Sequence, residues 1–340
     1  MKTILLCFDD DTFTPDELER VHAQADGYEV LLTKDRAAIE AKLDDVEIAA
    51  GAFPRDLLGR ASNLRWWQQW GAGADWLLDA PEVRAMEFTL TNTSGIHAIQ
   101  ISEHIFAFLL AFGRNLPQAM DAQREHIWVS NHWQASHSST IRPGQKFNYY
   151  ISHQAVFELA GKTMLLVGVG AIGLRTARLA QAFDLRVIGV RRHADRALPH
   201  VDRVVGQEDL HAVLPEADFV VVTAPLTPET AGMFDAAAFA AMQPSAYFVN
   251  IGRGGTVVET DLVAALQSGA IAGAGLDVFA EEPLPPESPL WDLPNVIITS
   301  HYSGLSPEYD ARALEIFLDN LHRYRTGEPM TNVVDKRLVY

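Results

Sequence analysis

The chain has 340 residues, 48% of them hydrophobic and 21% charged, a balance that suits a globular protein long enough for two domains. A formal charge of −17 opposes nonspecific binding to nucleic acid or anionic membrane, so neither is expected as a partner. The longest apolar run, IFAFLLAF at 105–112, is well short of the roughly 20 residues a membrane span needs and reads as part of a buried amphipathic helix.

At the start, MKTILLCFDDD has too short an apolar core for a signal peptide, and three aspartates interrupt it, so a cytoplasmic location is expected. The single cysteine, Cys7, lies in this run and reads as a buried strand thiol in a reducing compartment. Apolar runs then alternate with helix-like segments: KTILLCF, TPDELERVHAQA, YEVLLT, DRAAIEAKL and VEIAAG. Thr14 before Pro15, with Glu17 three residues on, marks a helix start. LRWWQQW and EFTLTNT read as further strands, and the alternation predicts a parallel sheet wrapped by helices. A long helix over about 99–116, ended by Pro117, leads away from this region. Residues 130–157 fit neither this alternation nor the next; a covering loop, a subunit contact and a plain surface insertion are all compatible with them.

A second alternation runs through KTMLLVGVGAIG, LRVIGV, DFVVVTAP, AYFVNIG, AGAGLDVF and NVIITS, enough for a doubly wound sheet. An amphipathic helix over about 306–326 follows and is expected to return to the first domain. Within MLLVGVGAIGLRTARLAQAF, Gly168, Gly170 and Gly173 form a G-x-G-x-x-G pattern, weak alone but strengthened by the strand before it and the helix after it. Gly168 would allow the tight turn, Gly170 the approach of backbone to a pyrophosphate, and Gly173 close helix packing. Amide donors at the helix start, Ala171 and Ile172 among them, would face the phosphates. The twelve histidines fall at no recognised zinc spacing, so no metal is expected.

GVGAIG, APLTPET, NIGRGG, AGAGLDVFAEEPLP and the SHYSG after NVIIT stand in an order that resembles the D-isomer-specific 2-hydroxyacid dehydrogenases. This is the family of glyoxylate, hydroxypyruvate and D-lactate-type reductases, and the resemblance covers nearly the whole chain apart from 133–155. It implies a two-domain α/β protein. Residues 1–99 and 305–340 would form a smaller flavodoxin-like substrate domain. Residues 100–304 would form a Rossmann-type doubly wound dinucleotide-binding domain, with an irregular insert at about 130–157. It also implies a homodimer that reversibly reduces small 2-keto acids to D-2-hydroxy acids by hydride transfer.

The family's catalytic arginine, glutamate and histidine carry over onto Arg253, Glu282 and His301. A guanidinium on a glycine-flanked loop can pair with a substrate carboxylate in two parallel hydrogen bonds, although a plain loop arginine is the bland alternative. A histidine, with an unperturbed pKa of about 6.5, can both give and take the proton that ketone reduction requires. Glu282 would bond the far ring nitrogen and stabilise the imidazolium. By the same resemblance, Gly71, Ala72 and Gly73 would hold the substrate carboxylate on backbone amides, unless they form only a strand-to-helix turn. Asp277 would receive the nicotinamide carboxamide, and Ala224, Pro225, Thr230, Ile251 and Gly304 would lie along the cofactor. Ile101 would press on the nicotinamide or serve as core. Trp128, Trp133, Tyr149 and Tyr150 would shape the pocket from a neighbouring subunit.

Counting from Gly168, the family's ribose-binding aspartate falls at residue 191, where VIGV is followed by Arg191 and Arg192, with Asp195 too far along to substitute. An aspartate there would bond the ribose 2′-hydroxyl and repel a 2′-phosphate; the arginine pair reverses that charge and predicts NADP(H) over NAD(H), with NAD(H) still possible. The plain alternative is two exposed loop arginines. From another functional class, a dinucleotide-sensing binding or regulatory protein on the same fold is the alternative to an enzyme. A formate-dehydrogenase-like reading is disfavoured because Glu282 stands where that branch has glutamine.

Overall fold

The computed structural model describes residues 1–130, 149–150, 156–194 and 196–339. The chain divides into two units, Met1–His97 with Leu305–Tyr340, and Ala98–Gly304. Trp133, Asp195 and three of the twelve histidines, His132, His137 and His153, lie outside the described residues, as do the side chains of Tyr149 and Tyr150.

In the first unit, β1 (Thr3–Cys7), β2 (Glu29–Leu32), β3 (Val46–Gly51), β4 (Trp66–Gln68) and β5 (Thr89–Thr91) form an all-parallel sheet in the order β2-β1-β3-β4-β5. That order is flavodoxin-like. Strands covered on both faces need continuous apolar runs, and every residue of β1 and β3 is buried. Cys7 is among them, and burial pushes its thiol up to about 12. Helix Pro15–Gln24 opens on a reciprocal cap, Glu17 N donating to Thr14 Oγ1 and Thr14 N donating to Glu17 Oε2 at 2.8 Å.

The C-terminal helix Tyr309–Thr326 belongs to this unit and packs Leu314, Phe317 and Leu321 with Ile4, Ile48 and Trp66, Phe317 stacking on Trp66 at 5.4 Å. Glu47 ties the helix to the sheet. Its carboxylate accepts from Tyr28 Oη at 2.6 Å and Tyr324 Oη at 3.0 Å and pairs with Lys2 at 2.6 Å. Burial pushes the Glu47 carboxyl up, but the hydrogen bonds from Lys2, Tyr28 and Tyr324 outweigh it and hold the group below the usual carboxylate range. Burial first, and then Glu47, pushes Tyr324 up to about 12.

In the second unit, β6 (Val129–Ser130) and β7 (Tyr149–Tyr150) make a short parallel pair. The main sheet contains β8 (Thr163–Val167), β9 (Arg186–Val190), β10 (Arg203–Val205), β11 (Phe219–Val222), β12 (Tyr247–Asn250), β13 (Gly273–Leu276) and β14 (Val296–Ile298). All seven strands are parallel, in the order β10-β9-β8-β11-β12-β13-β14. The strand order reverses between β8 and β11, and such a switch point opens the ligand crevice of doubly wound sheets at the carboxyl ends of the strands.

Two local expectations are corrected. β10 was not anticipated: it is a three-residue edge strand, half-buried throughout, too short to print a hydrophobic pattern. Pro117 does not end the long helix. Helix Ala98–Gly113 stops earlier, Asn115 turns at φ 52, and Pro117 sits in the first turn of a new helix, Leu116–Arg124. A proline is favoured there because its missing N–H would have had no intrahelical partner. Among the described residues no helix is long and apolar enough to cross a membrane, and no group of three or more His, Cys, Asp or Glu could hold a metal ion.

Candidate active site

The glycine loop lies at the switch point. Gly168 has φ +94, and a Cβ there would stand 2.7 Å from the backbone of Ala224, so this turn admits no side chain. Thr223 Oγ1 donates to Gly168 O at 2.5 Å and locks β8 to the end of β11. Gly173 is buried, and a Cβ on it would meet Gly168 O at 2.4 Å. Gly170 caps helix Ala171–Ala182 with no side-chain bond, and nothing lies within 4 Å of where its Cβ would be. The first N–H groups of a helix, here including Ala171, Ile172 and Gly173, have no intrahelical acceptor. With open space at Gly170, they form an anion-receptive end that fits a pyrophosphate.

Arg191 directly follows β9, its N–H on Val205 O at 3.1 Å, and Arg192 pairs with Glu229 at 3.3 Å. Ala224 is buried and Pro225 exposed at the end of β11. Thr230 braces this loop internally, donating from Oγ1 to Pro225 O at 2.7 Å and accepting from Thr227 N at 2.8 Å. Ile251 and Ile101 are both buried in the core cluster on one side of the sheet. Trp128 is exposed.

Beyond β12, Asn250 shapes the arginine loop. Its Oδ1 accepts from Gly252 N at 3.0 Å, and its Nδ2 donates to Arg253 O at 3.1 Å. Arg253 Nη1 donates to Gly252 O at 2.8 Å. Gly254 is where this loop meets the one carrying the glutamate: a Cβ on it would lie 1.8 Å from Phe279 O, so only glycine permits the approach. Glu282 Oε1 accepts from Phe279 N at 3.0 Å, while Oε2 lies 2.6 Å from His301 Nδ1. Glu259 steadies the same loop by accepting from Ala280 N at 3.0 Å. One Glu282 oxygen thus holds its own loop and the other holds the imidazole. A carboxylate on Nδ1 places the ring hydrogen there and leaves Nε2 for proton exchange, on a side chain 46% exposed.

Asp277, fully buried at the end of β13, organises the histidine segment. His301 N donates to Asp277 O at 2.9 Å, Tyr302 N to Oδ1 at 3.1 Å and Ser303 N to Oδ2 at 3.1 Å. Thr299 Oγ1 donates to Oδ1 at 2.6 Å. His104, on helix Ala98–Gly113, lies 3.0 Å from the same Thr299 oxygen; burial pushes its pKa down, against the pull of the Asp277 charge. Gly304 O accepts from Gln100 Nε2 at 2.9 Å. The sequence reading gave Asp277 a cofactor contact alone and missed Asn250, Glu259, Thr299 and His104. Each lies in a different strand-end or helix context, and no local motif links them.

In the first unit, the turn after β4 has its carbonyls tied down. Gln69 Nε2 donates to Gly71 O at 3.0 Å and Gly73 O at 2.5 Å, and Asn92 Nδ2 donates to Ala72 O at 2.8 Å. The N–H groups of Gly71, Ala72 and Gly73 make no hydrogen bond among the described residues. Such a run of free amides is suited to a carboxylate.

A sequence profile for the D-isomer specific 2-hydroxyacid dehydrogenase NAD binding domain matches residues 106–303. A glyoxylate reductase of Korarchaeum cryptofilum is 31% identical over 299 residues, 86% of this chain and 83% of that protein. Among solved structures, an NADPH-dependent glyoxylate/hydroxypyruvate reductase of Sinorhizobium meliloti, in complex with NADP and sulfate, is 30% identical with a TM-score of 0.78 and full coverage of both chains. A D-isomer specific 2-hydroxyacid dehydrogenase of Xanthobacter autotrophicus, in complex with NADPH and MES, is 28% identical with a TM-score of 0.79, covering 100% of this chain and 99% of that one.

Proposed function

The chain belongs to the D-isomer-specific 2-hydroxyacid dehydrogenase family of NAD(P)-dependent oxidoreductases, and from that premise we propose that it reversibly reduces small 2-keto acids to D-2-hydroxy acids, preferring NADP(H) to NAD(H). The 2.6 Å contact between His301 Nδ1 and Glu282 carries this reading, because it is the oriented acid–base pair that carbonyl reduction needs. The open helix end at Gly170 would hold the pyrophosphate, and Arg191 with Arg192 the 2′-phosphate. When bound, the nicotinamide dinucleotide supplies the hydride. Arg253 orients the substrate through its carboxylate or carbonyl, and the amides of Gly71, Ala72 and Gly73 receive a carboxylate. His301 Nε2 delivers a proton to the developing alkoxide and, in reverse, removes it, while Glu282 stabilises the imidazolium. Asp277 would also accept from the nicotinamide carboxamide.

The names of the relatives, glyoxylate and hydroxypyruvate reductases, support the substrate class, and the NADP and NADPH complexes of the solved ones support the cofactor. A grid of glyoxylate, hydroxypyruvate and 2-ketobutyrate against NADPH and NADH tests both. Keto-acid-dependent oxidation with NADPH favoured, and a D product by chiral chromatography, is the expected result. Oxidation of neither nucleotide would leave the dinucleotide-sensing reading. Arg191→Asp should move preference toward NADH, and an unchanged ratio overturns the 2′-phosphate assignment. A cytoplasmic homodimer accompanies this reading, and light scattering on the eluting protein checks the dimer.

A further inference from the structure

We propose that Thr299 and His104 are positioning residues for this reaction, acting through the Asp277 carboxylate on the backbone that carries His301. The proposal rests on the assignment of His301 as the acid–base group. The segment that carries His301 is strained. His301 has φ 52, a left-handed conformation that is unfavourable for a residue other than glycine and persists only where its surroundings over-determine it. Here the over-determination comes from Asp277, whose main-chain oxygen takes the N–H of His301 and whose carboxylate takes those of Tyr302 and Ser303.

A carboxylate can do this only if its own rotation is fixed, because the last torsion of an aspartate is broad and two-fold. Thr299 supplies the fixing contact. Its hydroxyl lies 2.6 Å from Asp277 Oδ1, the same oxygen that accepts from Tyr302 N at 3.1 Å. That oxygen is therefore an acceptor, and the one hydroxyl hydrogen of Thr299 points to it. Only lone pairs remain on Thr299 for His104 Nε2 at 3.0 Å, so His104 must donate. Burial keeps the pKa of His104 low, and the neutral ring then carries its single proton on Nε2.

The His104 ring is itself clamped. Phe108 meets it edge-on at 4.7 Å and Tyr302, the neighbour of His301, at 5.6 Å. The hydrogen bonds thus run in one direction, from His104 through Thr299 to Asp277, where they meet the N–H groups of the 301–303 segment. No proton needs to move along them; they hold the direction of the His301 ring and so its bond to Glu282. The glycine loop at 168–173 lies outside this chain of contacts and would keep its hold on the phosphates.

The test uses two pairs of variants in the full-length protein. Thr299→Val and His104→Phe delete the hydroxyl and the ring donor, whereas Thr299→Ser and His104→Gln retain a hydroxyl and an N–H. Two quantities are read: kcat at saturating keto acid and cofactor, and the Kd of ADP-ribose or its 2′-phosphate, whichever matches the preferred cofactor. Misplacing a catalytic group from a distance can cost up to about 100-fold, so a loss in kcat of roughly 10- to 100-fold is expected for each deleting variant. The probe, which lacks nicotinamide, should bind each within about twofold of wild type, as expected where additivity holds for separate sites. The serine and glutamine variants should recover most of kcat. Unchanged kcat in the deleting variants, no recovery in the conservative ones, or a parallel loss of probe binding each overturns the proposal. His301→Ala, measured alongside, separates the two levels. If it retains turnover, the reading of His301 fails; if it alone abolishes turnover, only the positioning role fails.

Discussion

The turns at 71–73 and 301–303 both follow a strand of a parallel sheet, and their hydrogen bonding runs in opposite senses. In the first, the side-chain amides of Gln69 and Asn92 donate to the carbonyls of Gly71, Ala72 and Gly73, and the N–H groups are left over. In the second, Asp277 takes the N–H groups of His301, Tyr302 and Ser303, and what is left over is the His301 side chain. The side-chain group beside the turn, amide or carboxylate, thus decides whether a strand end becomes an anion cradle or a platform for a titratable side chain. That distinction follows from inventory: a carboxylate can only accept, while an amide NH₂ can donate twice.

Removing the presented side chain should have the largest effect. His301→Ala is expected to lower kcat by about 10²–10⁴-fold, the usual worth of general acid–base catalysis, with cofactor binding retained in a titration. Near wild-type turnover would sink the assignment. Next, Asp277→Asn places an amide donor against N–H groups that need an acceptor. Hydrogen bonds to a charged group are worth about 1.5–3 kcal/mol each, so a loss of roughly that size in a denaturant titration should accompany a drop in kcat. A variant as stable and active as the parent would show that the platform does not need a carboxylate.

On the cradle side, Asn92→Ala frees the Ala72 carbonyl. Losing one such bond costs about 1 kcal/mol, which should raise KM for the keto acid roughly fivefold with kcat little changed, the mark of uniform binding. A fall in kcat at constant KM would instead place this turn in the chemistry. The smallest effect is on the scaffold of the first unit. Glu47 has a folded pKa held below its ordinary value, so the stability it contributes is present above the unfolded value of about 4.3 and is lost as pH falls through the folded one. Glu47→Gln should therefore lower Tm near neutral pH, and the gap to wild type should close in acid. A gap independent of pH would mean that the charge does not matter.

Much of the architecture was readable in advance. The runs ILLC, MLLV and FVVV are uninterrupted because parallel strands are covered on both faces, and that pattern prints directly into sequence. The cap at Thr14 and the helix start after Gly170 are equally local. Pro117 misled because a proline is compatible with either side of a helix boundary, and only the turn at Asn115 chose. β10 was hidden because three half-buried edge residues have no period to detect. Of the candidate site, family resemblance singled out Arg253, Glu282 and His301, yet no spacing rule brings Glu282 to His301 or reveals that Gly254 must sit against Phe279.

By itself the sequence determined a parallel α/β protein with a glycine-rich strand-to-helix turn, because backbone periodicity and turn chemistry act over a few neighbouring residues. Only the packing chose which polar groups share partners. Asp277 with Thr299, His104 with Thr299, and Gln69 and Asn92 with the carbonyls of one turn are such cases. The Asp277, His104 and Asn92 contacts are set by how segments 20 or more residues apart in the chain are brought to hydrogen-bonding distance. A buried donor or acceptor must be satisfied wherever the packing places it.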